Sequence, residues 1–132
     1  MVRDILGQGG PGADYRALPR VTFLDPEIGA TGLTEAQARK AGIPVRTAFT
    51  PLPESSRGWI HKVGNEGFIK LVADTGRGVL VGATSAGPAG GEVLSGLVVA
   101  VHAEVRVATL RHMIYAYPTF HRAIETAVKQ LD

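Results

Sequence analysis

Phe68-Ile69-Lys70-Leu71-Val72-Ala73-Asp74-Thr75-Gly76-Arg77-Gly78-Val79-Leu80-Val81-Gly82-Ala83-Thr84 decides the fold. Two apolar, β-branched runs flank Asp74-Thr75-Gly76, and the glycine supplies the tight turn, so the stretch reads as an antiparallel hairpin. Its second strand, 78–84, is apolar on both faces and is therefore expected at the centre of a sheet.

Upstream, 45–49 reads as a strand and 20–24 as another, ended by Asp25-Pro26 because the residue before proline is pushed away from helix. A turn is expected to follow Pro26. Thr34 then opens a helix in which its hydroxyl caps a free amide while Gln37 reaches back, and Gly42 and Pro44 stop it. The segment 50–65, with Pro51, Pro53, Ser55, Ser56 and Gly58, reads as irregular, a functional loop or an edge excursion. Residues 1–18 lack a sustained period and read as an arm, or the remnant of a connection to upstream domains, with the folded domain over 19–132.

Downstream, Gly87-Pro88-Ala89-Gly90-Gly91-Glu92 turns the chain into a helix over 91–104, with Glu92 where the macrodipole favours a negative charge. Val93, Leu94, Leu97, Val98, Val99, Ala100 and Val101 leave this helix almost no polar face, so it is expected to be buried on several sides, in part against a partner. A short helix is expected over 106–112 and a last one over 120–131, with Ile124, Ala127, Val128 and Leu131 on one stripe. The sum is an α+β fold, an antiparallel sheet with helices packed on one face.

The composition limits what such a domain can do. Its 132 residues suffice for one core. The 45% hydrophobic content is high beside 17 Gly and 8 Pro, which favours a self-associating module. Fourteen basic against twelve acidic residues, scattered singly, give no nucleic-acid footprint. The longest apolar run, 93–101, is far shorter than the ~18 residues of a membrane span, so neither nucleic acid nor membrane is expected as a partner. The absence of cysteine excludes disulfides, thiolate metal sites and a cysteine nucleophile, and it accords with a cytoplasmic location.

Gly7-Gln8-Gly9-Gly10-Pro11-Gly12 satisfies the dinucleotide-binding spacing G-x-G-x-x-G, but only six residues precede it and Pro11 lies inside it, so it reads as a decoy. None of His61, His102, His112 and His121 pairs at a ligand spacing, and no metal site is expected. His102, in the apolar helix, reads as a core histidine. Trp59, with Arg57 and Lys62, reads as a loop residue covering the sheet edge in preference to a binding patch.

Taken in order, the blocks resemble one family. They are Pro19-Arg20-Val21-Thr22-Phe23-Leu24-Asp25-Pro26-Glu27-Ile28-Gly29, then Gly32-Leu33-Thr34-Glu35-Ala36-Gln37-Ala38, Gly67-Phe68-Ile69-Lys70-Leu71-Val72, Gly82-Ala83, Gly87-Pro88 with Glu92, and Pro118-Thr119. Over 19–131 the chain resembles the C-terminal dimerisation (interface) domain of the FAD-dependent pyridine nucleotide–disulfide oxidoreductases, the family of glutathione reductase, lipoamide dehydrogenase and mercuric reductase.

The resemblance implies a homodimer, formed through the 91–104 helix and the 115–122 segment. It also implies upstream FAD and NAD(P) domains, and a role in completing the flavin site of the partner subunit through Tyr117 and Pro118. FAD and NAD(P)H would be cofactors of the full-length oxidoreductase; this chain alone is expected to bind neither and to be inactive. A free-standing protein-association module of the same fold, without catalysis, is the alternative.

Disulfide-reducing members carry His-Pro-Thr-x-x-Glu where this chain has Tyr117-Pro118-Thr119-Phe120-His121-Arg122. A phenol titrates about 3.5 pH units above imidazole, so Tyr117 starts roughly 4–5 kcal/mol from a matched base at neutral pH and suits hydrogen-bond donation or stacking better. With Thr119 as the expected N-cap, Arg122 falls in the first turn of the last helix, where a cation opposes the macrodipole. An anion beside it would relieve that opposition: a carboxylate of upstream domains or an anionic substrate, with plain solvation the alternative. His121 is the nearby imidazole available to replace the lost base, although its place on the next turn points it elsewhere. Mercuric reductases end in a cysteine pair and this chain ends Lys129-Gln130-Leu131-Asp132, so mercury reduction is disfavoured and the acceptor implied is a quinone or dye rather than a disulfide.

Overall fold

The computed structural model describes residues 2–131. A four-residue helix α1 (Val2–Ile5) precedes an exposed glycine-rich stretch. There follow β1 (Arg20–Thr22), β2 (Glu27–Gly32), α2 (Glu35–Lys40), β3 (Val45–Pro51), α3 (Ser56–His61), β4 (Phe68–Asp74) and β5 (Val79–Gly87). Then come α4 (Gly90–His102), α5 (Val107–His112), α6 (Ala123–Val128) and a 3-10 turn at Lys129–Leu131. The strands form one antiparallel sheet in the order β1-β2-β5-β4-β3, which puts the doubly apolar β5 at its centre as its composition requires.

On one face Ile69, Leu71, Leu80 and Ala83 meet Leu94 and Leu97 of α4 and Ile124, Ala127 and Val128 of α6 in a single core. Side chains alternate across a strand. Lys70 therefore points to the opposite face, where its ammonium pairs with Glu35 of α2 at 3.0 Å. The Thr34 capping box forms as the sequence indicates: Thr34 Oγ1 accepts from the Gln37 amide at 3.2 Å and Gln37 Oε1 accepts from the Thr34 amide at 2.8 Å.

Three elements depart from the sequence reading. The turn expected after Pro26 is the strand β2, whose Gly29, Ala30 and Gly32 conceal it because a strand is ordinarily recognised by bulky apolar residues. Gly29 is small because α4 lies directly on it, where a methyl would approach Leu94 Cβ and the Gly90 carbonyl at 3.2 Å, whereas Gly32 takes a positive φ of 66° against the Val81 backbone. The irregular 50–65 segment contains α3, capped by Ser55 Oγ, which accepts from the Gly58 amide at 3.0 Å. The last helix is shorter than 120–131, because the chain enters it from residue 119 through i to i+3 hydrogen bonds and leaves it as the 3-10 turn at Lys129–Leu131.

Of the arm expected over 1–18, Met1 lies outside the described residues and residues 2–16 are exposed, but its end is tied to the domain. Ala17 is buried and its carbonyl accepts from Thr31 Oγ1 at 2.9 Å, while Arg16 pairs with Glu104 at 2.7 Å.

Helix α4 lacks a side-chain cap of its own at Ala89; instead Glu27 Oε2 of β2 accepts from the Gly91 amide at 2.9 Å. That bond places a carboxylate at the positive end of the helix. A methyl on Gly90 would collide with the Glu27 carbonyl and approach the Ser85 carbonyl at 3.0 Å, both fixed backbone atoms. Gly90→Ala is therefore expected to lower unfolding stability by about 1–3 kcal/mol despite the higher helix propensity of alanine, measured by denaturant melts.

Candidate functional site

The segment after α5 has no regular secondary structure between Met113 and Thr119 and is held by side chains instead. Tyr115 is its anchor: the ring is buried and the hydroxyl donates to the Leu110 carbonyl at 2.9 Å. Burial, and secondarily the charge of Glu125, push the Tyr115 phenol above its ordinary value and keep it a neutral donor. Two residues later the chain turns outward. Tyr117 is 65% exposed, the Tyr117–Pro118 peptide is cis, and Ile114 beside the anchor is 98% exposed.

Thr119 closes the corner. Its hydroxyl donates to the Ala116 carbonyl at 2.7 Å and accepts from the Arg122 amide at 3.0 Å. Thr119 thus caps the turn over residues 119–122, and Arg122 stands immediately before α6 rather than inside its first turn. The Arg122 guanidinium lies over the Tyr117 ring, 5.2 Å from its centroid, and Arg122 Nη2 pairs with Glu125 Oε2 at 3.1 Å. The second oxygen of that carboxylate accepts from Lys129 Nζ at 2.6 Å. Lys129 first, helped by Arg122, holds the Glu125 carboxyl below the usual carboxylate range against the opposing effect of desolvation. An anion does stand beside Arg122, and it is the domain's own Glu125. Its signal was present in the spacing, one helical turn from both Arg122 and Lys129, but was not read.

Tyr117, Thr119, Arg122, Ala123 and Thr126 form one wall of a polar cleft of about 230 Å³, and Glu54, Ser55 and Ser56 form the other. The 50–65 segment thus contributes Glu54, Ser55 and Ser56 to the cleft, residues that the sequence did not mark within it.

His121 is not part of this arrangement. Its ring packs 5.2 Å from Tyr115, and a methyl on Gly96 of α4 would meet its Cε1 at 3.6 Å. With Pro118, Phe120, Arg57 and Glu92 it lines a second, open cleft on the other side of the segment. The structure thus brings Tyr117 and Arg122 together and leaves His121 apart from them.

Two structural readings of the sequence are corrected. His102 is exposed on α4, because it falls on the stripe of Glu92, Ser95, Gly96 and Val99 that faces away from the sheet. Trp59 is 75% exposed and does not cover the sheet edge; Arg57 and His61 turn to Phe120 instead, at 5.7 and 5.4 Å. The G-x-G-x-x-G spacing at 7–12 follows α1, with no strand before it, and is exposed throughout. Among the described residues no three His, Cys, Asp or Glu side chains converge as a metal site, and no helix is long and apolar enough to cross a membrane.

The model of the pyridine nucleotide-disulphide oxidoreductase dimerisation domain matches residues 18–128. Dihydrolipoyl dehydrogenase of Mycobacterium tuberculosis is 36% identical over 113 residues, covering 85% of this chain and 24% of the relative. Mercuric reductase of Streptomyces lividans is 34% identical over 116 residues, 88% of this chain and 24% of the relative. The chain thus spans about a quarter of the length of these curated relatives. Among solved structures, LpdA from Mycobacterium tuberculosis superposes with a TM-score of 0.87 at 25% identity over 98% of this chain and 28% of that one. The HOCl-induced flavoprotein disulfide reductase RclA from Escherichia coli shares the fold, with a TM-score of 0.88 at 22% identity over 99% of this chain and 30% of its own. On the match across 18–128, together with the antiparallel sheet and its covering helices, this chain belongs to the pyridine nucleotide–disulfide oxidoreductases as their dimerisation domain.

Proposed function

We propose that the chain is the C-terminal part of a homodimeric, FAD- and NAD(P)H-dependent oxidoreductase and completes the flavin site of the partner subunit with Tyr117 and Pro118. The observation that carries this reading is the outward corner at 117–118, flanked by exposed apolar side chains and fixed from behind by Tyr115 and Thr119. Val99 on the outer stripe of α4 is 63% exposed, and Met113 and Ile114 add exposed apolar surface next to the corner. Apolar surface of this kind favours burial against another protein, and a two-fold pairing would use the same patch twice.

Upstream domains hold both cofactors in this reading, since the exposed glycines at 7–12 lack the strand and helix that a dinucleotide cradle needs. The flavin supplies the two-electron chemistry when bound. This chain's contribution is to place the Tyr117 phenol and the Pro118 ring at its edge, to exclude water there, and to offer a neutral hydroxyl where disulfide-reducing relatives offer an imidazole. The chain alone is inactive, and its acceptor is an oxidant that needs no protein base, such as a quinone, in preference to a disulfide or a metal ion. The protein works in the cytoplasm.

The association claim is tested by light scattering on the 132-residue chain. A dimer is expected, and Val99→Glu together with Ile114→Glu should weaken it at least about tenfold, the effect of some 1.4 kcal/mol at the interface. A monomer at every concentration would reject the reading. The acceptor is tested in the flavoenzyme carrying this domain by Tyr117→His with Arg122→Glu: quinone turnover is expected to fall, with no gain in disulfide turnover. A gain of tenfold or more in disulfide reduction would assign the natural acceptor to a dithiol couple.

A further inference from the structure

We propose that Arg122 is a positioning residue for Tyr117, and that the series Tyr117, Arg122, Glu125, Lys129 does for the phenol what a carboxylate does for a histidine at this corner. The inference rests on the reading that Tyr117 is presented to a partner's flavin, and adds how the ring is held there.

An exposed tyrosine samples several rotamers, and each must be given up before the ring can meet a partner in one geometry. Tyr117 is largely free of the core, so its order has to come from a neighbour on the surface. Arg122 is that neighbour, and it is fixed at both ends. Its amide is bonded to Thr119 Oγ1 at 3.0 Å, and its guanidinium is held between the Tyr117 ring and Glu125.

Glu125 is held in turn, one oxygen on Arg122 and the other on Lys129, with its side chain only 16% exposed. A lone surface ion pair contributes little because two long side chains must be ordered for one contact. Here the carboxylate is ordered by two cations, and the arginine by its own capped backbone, so less freedom remains to be lost. The residue type matters as well. A guanidinium presents a flat face to an aromatic ring while its edge donates to a carboxylate, and an ammonium cannot do both in one plane. Arg122 therefore compensates for the residue that replaced histidine, and Glu125 supplies, one turn later, the negative charge absent from position 122.

NMR of the 132-residue chain tests this. The Hδ protons of Arg122 should be displaced upfield by the Tyr117 ring current, and Tyr117→Leu should abolish the displacement. The Tyr117 α–β couplings should report one dominant χ1 rotamer, averaged in Arg122→Leu and in part in Glu125→Gln, with Arg122→Lys restoring less than the native order. Each variant's fold is checked by its amide spectrum. An undisplaced Arg122 in the native chain, or unchanged Tyr117 couplings in a folded Arg122→Leu variant, would overturn the inference. The dimer mass measured on the same samples separates the two claims: a dimer with a mobile Tyr117 rejects the positioning role alone, whereas an ordered Tyr117 in a monomer supports it and rejects the association.

Discussion

The seating of α4 on β2 and β5 is the contact on which the rest of the molecule depends. Gly29 and Gly90 remove the side chains that would hold the helix off the sheet, and Glu27 reaches from the strand to cap the helix at the Gly91 amide. Leu94 and Leu97 then enter the core while the opposite stripe, Glu92, Ser95, Gly96, Val99 and His102, is left outside. The C-terminal segment is laid against the same helix, with His121 beside Gly96. One backbone approach thus sets both the core and the direction in which the Tyr117 corner projects.

On the proposed reading, Tyr117 and Arg122 stand together in place of an imidazole and its carboxylate. An imidazole that moves protons benefits from a carboxylate beside it, because the carboxylate favours the charged form. A phenol at neutral pH carries no charge and gains nothing from that arrangement. A cation stacked on its face, balanced by a carboxylate one turn later, suits a ring whose task is to be in place. On that reading the residues at 117 and 122 are consistent with each other and with Glu125, whose carboxylate pairs with Arg122.

Much of the fold was legible because it rests on strong local signals. The hairpin around Asp74-Thr75-Gly76, the Thr34 cap and the apolar run of α4 all sit where their residues require. The strand β2 was not legible, since its small residues answer to neighbours distant in sequence, Gly29 to α4 and Gly32 to the backbone of β5. Trp59 and His102 misled for a related reason: an aromatic in a loop and a histidine in an apolar helix are read as buried on average, whereas their exposure is set by which face the tertiary packing leaves uncovered. At the candidate site the sequence marked Tyr117 and Arg122 and carried the i,i+3 spacing of Glu125, but it could not show that Glu54 and Ser56 form the facing wall.

The central claim is that the outer stripe of α4 lies against its counterpart in a second copy. The chain contains no cysteine, so a single thiol reports proximity without interference. Val99→Cys, oxidised under mild conditions, is expected to form a covalent dimer far faster than Thr75→Cys, which lies at the hairpin turn. Equal and slow cross-linking at both positions would contradict the account.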